Sequence, residues 1–216
     1  MADDFKGKLK ARASIQGGLA TLLKGGKRRF QARLCSVGDN LNGHRLTKNA
    51  LQTACDRFKP FPIRMTKGRI ADPSDKHPST PEEIIGRGIA AQFIDGPGDG
   101  GHVDFVGEIY ESIPFAEHAL QLIRDGFYAF DSAEYSYGAG ECSVCHAQFD
   151  TADAICQHIG LDTAGNPIGS ESAKIVFHDV NFTGVSMLDS HGADPEAKVK
   201  AVATLATKSP TKETVM

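Results

Sequence analysis

The sequence lacks long apolar runs. Hydrophobic residues make up 40% of the 216 residues, which is enough for a folded core. No stretch reaches the ~20 consecutive apolar residues that a membrane-spanning helix requires. The first ten residues, MADDFKGKLK, also lack the apolar segment of a secretory signal. We therefore expect a protein without membrane association that folds in a cytoplasm, as one domain or one domain with a tail.

The chain also lacks an overall excess of positive charge. Its net charge is −3 and its pI is about 6.2, which argues against a nucleic-acid-binding protein. Residues 1–28 are nevertheless basic and poor in apolar side chains, and we expect them to form a mobile, solvated arm. The alternative is an arm that docks on an acidic partner or on nucleic acid. Its basic residues are Lys6, Lys8, Lys10, Arg12, Lys24, Lys27 and Arg28.

Cysteines are few, and their number is odd. Five cysteines without a secretion signal argue against a disulfide framework. Cys35 and Cys55 fall on a predicted strand and a predicted helix, where we interpret them as small buried apolar residues. The other three lie within 15 residues of one another, so metal binding is the leading explanation for them.

These three cysteines and one histidine form a zinc-binding pattern. Cys142 and Cys145 make a Cys-x2-Cys pair, and Cys156 and His158 make a second close pair ten residues later. Three thiolates and one imidazole complete a tetrahedral structural zinc site with no open position. In a two-Cys two-His finger the second His would stand at 162–164, where the sequence has Asp-Thr-Ala. His146 is the weaker substitute for the fourth ligand.

Hydrophobic periodicity predicts strands, two main helices and one long loop. The loop covers residues 66–83, contains three prolines and includes His77. Glycine-rich residues 96–101 predict a hairpin between two strands. From about Ala197 we expect a frayed helix or a polar tail. Predicted strands cover residues 30–34, 89–93, 103–109, 127–137, 175–177 and 185–188, and predicted helices cover residues 47–58 and 114–123, the second ending at Gly126.

No G-x-S-x-G elbow is present, yet the order of several short motifs resembles another kind of serine protease. The sequence is similar, from about residue 30 to 198, to the prohead (capsid-maturation) proteases of tailed phages, whose fold is like herpesvirus assemblin. The motifs are Asn42-Gly43 before the first helix, Lys76-His77 ahead of Ile85-Gly86-Arg87-Gly88, Asp131-Ser132-Ala133-Glu134-Tyr135, and Val185-Ser186-Met187-Leu188-Asp189 followed by Gly192-Ala193-Asp194-Pro195.

The resemblance implies a fold and a set of catalytic residues. The expected fold is α+β, a small and mostly antiparallel barrel-like sheet flanked by helices, with a zinc-knuckle insertion at 140–160. The expected boundaries are an arm at 1–28, a protease domain at 29–198 and a polar tail at 199–216. Ser132 would attack the scissile carbonyl and His77 would act as its general base.

The third catalytic position is less defined by sequence. His178 fits a strand that follows the nucleophile, and Asp179 and Asp189 compete with it. Two residues depart from the family pattern: Gly184 stands where an acidic residue often precedes the Val-Ser pair, and Ala133 replaces a proline. Ser136 is a second nucleophile candidate, because it falls on the same strand face as Ser132.

The implied function is that of a serine endopeptidase that cleaves scaffold and major capsid proteins during phage virion assembly. Its expected place is the host cytoplasm, inside the assembling prohead, and its partners are those proteins and further copies of itself. One alternative is a catalytically inactive scaffold or head-assembly protein of the same fold. A weaker alternative is a zinc module that touches nucleic acid, although residues 142–158 lack interleaved basic and aromatic side chains.

Overall fold

The computed structural model describes residues 19–24, 28–65, 84–113, 116–151, 154–161, 167–188 and 192–203. Within these ranges the helices are α1 (Leu19–Lys24), α2 (Lys48–Asp56) and α3 (Ala116–Arg124). The strands are β1 (Arg29–Ser36), β2 (Gly38–Asp39), β3 (His44–Leu46), β4 (Phe61–Met65), β5 (Ile84–Asp95), β6 (Gly101–Ile109), β7 (Phe130–Tyr137), β8 (Gly140–Cys142), β9 (Gln148–Phe149), β10 (Gly160–Leu161), β11 (Pro167–Ile168), β12 (Ile175–Phe177), β13 (Val180–Leu188) and β14 (Val199–Val202).

The main sheet has seven strands and curls so far that its two ends touch. Its order is β14-β1-β6-β5-β4-β13-β7. All neighbouring pairs are antiparallel except β13 and β4, which are parallel. The end strands meet where Phe130 bridges Lys198 and where the Val199 N–H donates to the Ala129 carbonyl at 2.8 Å. The expected barrel-like, mostly antiparallel sheet is confirmed in this coarse sense.

Aromatic rings fill the inside of the curl. Phe105 lies 5.7 Å, centroid to centroid, from both Phe30 and Phe61. Inward residues alternate with outward ones along β1, as the sequence pattern predicted, and also along β4. Leu34, Ile63, Ile85, Val103 and Met187 complete this core at 0% exposure. The polar residues of β1 and β4, such as Gln31 and Arg64, therefore lie on the outer face of the sheet.

The two predicted helices are present, and their ends have the expected chemistry. The Thr47 side chain caps α2 by accepting from the Ala50 N–H at 3.2 Å, and Leu51 is buried on the inner side of the helix. Gly126 follows α3 with φ +78°, the left-handed conformation that favours glycine after a helix. Cys35 is buried on β1 and Cys55 is half-buried on α2, in agreement with their predicted role as apolar residues.

A second sheet of five short strands carries the insertion. Its order is β2-β3-β12-β8-β9, with β12 parallel to β3 and antiparallel to β8. Phe177 of β12 lies in the core between the two sheets, and the ring of Tyr137 on β7 is 4.2 Å from it. The His44 ring also packs on Phe177, at 5.0 Å between centroids, and its Nδ1 lies 2.7 Å from the Tyr135 hydroxyl. These aromatic contacts join the second sheet to β7, the strand that carries Ser132.

The structure corrects three expectations about architecture. The chain is strand-rich rather than α+β with flanking helices, because the described helices have only six to nine residues each. Val199–Val202 is a strand and not the start of a tail, since it pairs with the edge of β1. Within the expected arm, Leu19–Lys24 is a helix whose Leu19 packs on Ala90 and Val106. Residues 1–18, 25–27, 66–83 and 204–216 lie outside the described ranges.

The carboxyl group of Asp131 is buried in an unfavourable environment. Asp131 is 0% exposed, and neither carboxyl oxygen has a hydrogen-bond partner among the described residues. Burial in an apolar surrounding, together with the nearby Asp194 and Asp104, raises the pKa of Asp131 well above its usual range. Because the pKa of this acid is raised on folding, its ionisation lowers the stability of the protein progressively as the pH rises above the unfolded-state pKa of about 3.9.

We expect Asp131→Asn to change the free energy of unfolding more favourably at pH 7 than at pH 3.5, because the variant removes the cost of ionising this buried carboxyl group. Thermal or urea unfolding of both proteins at the two pH values measures the difference. Asp150→Asn, which changes an exposed carboxylate, is the control and should show a smaller pH-dependent difference. An equal change in stability for Asp131→Asn at both pH values would contradict the prediction.

Candidate metal centre and polar site around Ser132

The first half of the metal centre is a tight knuckle between two strands. Cys142 ends β8, residues 143–145 form the turn, and His146 has φ +57°. The His146 N–H donates to the Cys142 carbonyl at 2.9 Å, and the Cys142 N–H donates to the Ala147 carbonyl at 3.0 Å. This backbone geometry turns the side chains of Cys142 and Cys145 towards one point.

The second pair of ligands lies opposite the knuckle. One donor atom from each of Cys142, Cys145, Cys156 and His158 falls within 4.8 Å of all the others. The Cys156 Sγ is 3.7 Å from the His158 Nδ1. Ligand atoms at the vertices of a zinc tetrahedron are separated by roughly 3.3–3.8 Å, so the arrangement fits one metal ion. The structure confirms that the four predicted residues come together.

The knuckle also favours the thiolate form of one cysteine. Burial acts to raise the pKa of Cys142, but the backbone N–H groups of Cys145 and Val144 and the side chains of Cys156 and Cys145 together outweigh it and lower the pKa to about 7. The Val144 N–H lies 3.5 Å from the Cys142 Sγ. Because the thiolate is the form that binds metals, the fold prepares this ligand before any ion arrives.

His146, the substitute ligand, is turned away from the cluster. Its Nδ1 lies 2.7 Å from the Glu141 Oε1. His178 meets the other oxygen of the same carboxylate, with its Nε2 at 3.2 Å. Glu141 thus connects the knuckle to the turn between β12 and β13. This contact favours Cys156 and His158 over His146 as the second half of the centre.

Ser132 lies on the outer face of the main sheet. Its neighbour Asp131 is fully buried, so the alternation of the strand turns Ser132 to the opposite side. Ser132 is half-buried and stands directly across from Ser186 of β13. Gly192 covers it closely, because a β-carbon added there would lie 3.3 Å from the Ser132 Cβ and 2.9 Å from the Asp131 carbonyl.

A polar network adjoins Ser132 on this face. The Arg64 guanidinium of β4 pairs with the Glu134 carboxylate of β7 at 2.5 Å, and both side chains are about five-sixths buried. The Ser186 hydroxyl donates to the other oxygen of Glu134 at 3.2 Å. Arg64, Ser186 and Ser132 occupy matching positions on three neighbouring strands. The arrangement therefore places a fixed carboxylate and a guanidinium next to a strand serine.

The other predicted catalytic residues are not brought to Ser132 in the described ranges. His77 and Asp189 lie outside those ranges. His178 lies beyond the Val180–Tyr137 pair, whereas Ser132 pairs with Ser186, a separation of about 17 Å or more along the ladder. Asp179 forms an exposed ion pair with Arg57 at 2.9 Å. Ser136 remains exposed near the far end of β7.

Sequence reasoning missed two residues of this network, Arg64 and Glu134. The period of a strand puts Glu134 on the same face as Ser132, so a signal for it was present in the sequence. No comparable signal marks Arg64, because it becomes a neighbour only when β4 pairs with β13 in this register.

The chain matches no protein-family model, no curated protein and no solved structure. In the part of the chain that the structure describes, no helix has the length and apolar character needed to cross a membrane.

We expect the full-length protein to bind one divalent ion at the cysteine cluster. Cobalt titration should give thiolate-to-metal charge-transfer absorption, and Cys156→Ser should lose most of the affinity because one of four ligands is removed. Cys55→Ser is the matched control, since Cys55 lies on α2 outside the cluster. An unchanged cobalt spectrum for Cys156→Ser would rule out this ligand set.

Proposed function

We propose that the protein is a serine endopeptidase that processes scaffold and capsid proteins during phage prohead maturation. The observation that carries the proposal is the placement of Ser132 on the outer face of a curled sheet, beside a buried ion pair. The placement supports the proposal together with the sequence resemblance to prohead proteases. In that resemblance, the segment of this chain that contains Ser132 corresponds to the segment that carries the nucleophile in those proteases. The partners would be the scaffold and major capsid proteins and further copies of this chain.

The proposed chemistry needs a nucleophile and a base. A hydroxyl attacks a peptide carbonyl only when a neighbouring group takes its proton, and imidazole does so near neutral pH. Ser132 would form the acyl-enzyme, and His77 would take the Ser132 proton and pass it to the leaving amine. Water would then release the acyl group with the same imidazole as base. His77 is assigned by the sequence resemblance, since it lies outside the described residues.

We propose zinc as the metal of the cysteine cluster and a structural role for it. Three thiolates and one imidazole suit zinc and fill all four positions of a tetrahedron, so no position remains for a substrate or a catalytic water. The ion would join the knuckle to residues 156–158, a region whose buried apolar side chains include Phe149 and Ile159. The cluster also lies on the other sheet from Ser132, which favours a supporting role.

The second candidate is an inactive head-assembly protein of the same fold. The engagement of Glu134 by both Arg64 and Ser186 favours it, because such a network also stabilises a sheet that has no catalytic task. The protein would then act in the assembling prohead of the host cytoplasm through its surface, with zinc as a structural element. Processing of partner proteins separates the two candidates.

Ser132→Ala should abolish cleavage when the protein is co-expressed with its scaffold and major capsid proteins, because the variant lacks the attacking oxygen. Gel electrophoresis and mass spectrometry of the partner proteins measure the cleavage. Thr183→Ala, which removes an exposed hydroxyl from the neighbouring strand, should leave processing intact. Cleavage at the normal rate by a folded Ser132→Ala variant would exclude Ser132 as the nucleophile and leave the assembly role.

A further inference from the structure

The side chain of Lys200 crosses the outer face of the main sheet to reach a buried carboxylate. Lys200 lies on β14 and Asp104 on β6, and β1 runs between these two strands. The Lys200 Nζ lies 2.5 Å from the Asp104 Oδ1 and 2.7 Å from the Asp104 Oδ2. The Asp104 side chain is only 6% exposed. A primary amine is therefore held close to the carboxyl carbon that joins the two oxygens.

The two oxygens of Asp104 have different neighbours. The Oδ2 accepts a hydrogen bond from the Gln31 Nε2 at 3.0 Å. The Oδ1 lies 3.3 Å from the His102 Nε2, and the same nitrogen lies 3.0 Å from the Lys200 Nζ. One imidazole nitrogen thus contacts both the amine and one carboxyl oxygen, while an amide N–H holds the other oxygen.

The His102 ring is in the right state to accept a proton. Burial, and after it the positive charge of Lys200, lowers the pKa of His102 below its ordinary value, although Asp104 opposes the change. The ring is therefore neutral near pH 7, and a neutral imidazole has one nitrogen that accepts a proton. Because the Lys200 ammonium can only donate, the Nε2 that faces it is the accepting nitrogen.

We propose that Lys200 and Asp104 condense to an intramolecular isopeptide bond, with His102 as the proton carrier. The bond between Nζ and Cγ forms, and the bond between Cγ and Oδ1 breaks. The inference does not depend on the proposed protease function.

The protons and charges of this reaction balance within the cluster. The His102 Nε2 takes a proton from the Lys200 ammonium, and the resulting amine attacks Cγ of Asp104. The Oδ2 carries the developing negative charge, which the Gln31 N–H stabilises. His102 passes this proton and then a second one from Nζ to Oδ1, which leaves as water. One ammonium and one carboxylate thus give one amide and one water, without any outside reactant.

Contact between the two groups favours condensation, which does not occur between free amines and carboxylates in water. Well-oriented groups within one molecule react as if each were present at an effective concentration on the order of 10⁵ M or more. The product also replaces two charges with one neutral amide. This change reduces the cost of keeping the charged Asp104 side chain away from water.

The bond would fix the closure of the curled sheet. It joins residues that are 96 positions apart, and all five cysteines of the chain are free. A covalent cross-link over so long a loop restricts the unfolded chain and so opposes the release of β14. The isopeptide bond would therefore take the place that a disulfide has in a secreted protein.

A second lysine–aspartate pair provides an internal control. The Lys48 Nζ lies 2.8 Å from the Asp95 Oδ1, and the Asp95 side chain is 70% exposed. Among the described residues, no imidazole contacts this pair. We expect the Lys48–Asp95 pair to remain an ion pair, because it lacks both the burial and the proton carrier of the Lys200–Asp104 pair.

Mass spectrometry of the purified full-length protein tests the proposal. We expect a mass that is lower than that of the sequence by one water, and a proteolytic peptide in which Lys200 is joined to Asp104. Lys200→Arg keeps the positive charge and the ion pair, but a guanidinium stays protonated and does not attack a carboxyl group. This variant should have the unmodified mass.

The role of His102 is tested by the rate of bond formation. In pulse-labelled full-length protein, the linked fraction should rise about 100-fold more slowly for His102→Gln than for the wild type, because the variant has no proton carrier. His118→Gln, which changes an exposed histidine on α3, should form the bond at the wild-type rate.

A wild-type protein with the full sequence mass, and with Lys200 and Asp104 in separate peptides, would overturn the proposal. A loss of one water that maps to any other residues, including Lys48 and Asp95, would overturn it as well. An unchanged rate for a folded His102→Gln variant would remove His102 from the reaction. A joined peptide that is present in the wild type and missing in Lys200→Arg would confirm the bond.

Discussion

The register of β13 between β4 and β7 is the constraint on which the rest of the structure depends. Ser186 pairs with Arg64 on one side and with Ser132 on the other. A shift of β13 by one residue would turn Ser186 inward and would turn Val185 and Met187, both at 0% exposure, out of the core. Burial of these apolar side chains, about 1.5–3 kcal/mol each, therefore holds the polar outer face in place.

Closure of the curled sheet reinforces this register from the other side of β7. Strand β14 lies between β1 and the start of β7, and Lys200 anchors it to β6 through the buried carboxylate of Asp104, at 2.5 Å and 2.7 Å. Gln31 donates to the same carboxylate at 3.0 Å. A segment rich in Lys, Ala and Val thus becomes part of the sheet because a charged group satisfies a buried acid there.

The cysteine cluster and the polar site around Ser132 share no residues, but side-chain contacts link the parts of the fold that carry them. Glu141 and Phe177 couple the knuckle to the turn before β13 and to Tyr137 at the end of β7. A metal ion bound at the cysteine cluster would stabilise a region of short strands that offers few apolar side chains of its own. In the proposed protease it would support the far end of the strands that carry Ser132 and Ser186.

The sequence by itself determined the local features of this protein. Spacing alone located the four candidate metal ligands that the structure brings together, because two short-range pairs leave few ways to arrange a tetrahedral site. Apolar periodicity located α2, the β5–β6 hairpin and the buried face of β1, and turn chemistry located Gly126. The tertiary structure alone decided which distant residues became neighbours. Arg64, Glu134 and Gly184 come from three strands far apart in the chain, and β14 is a strand only because β1 offers it an edge. Strand pairing depends on the packing of the whole core, so no local pattern in the sequence encodes it.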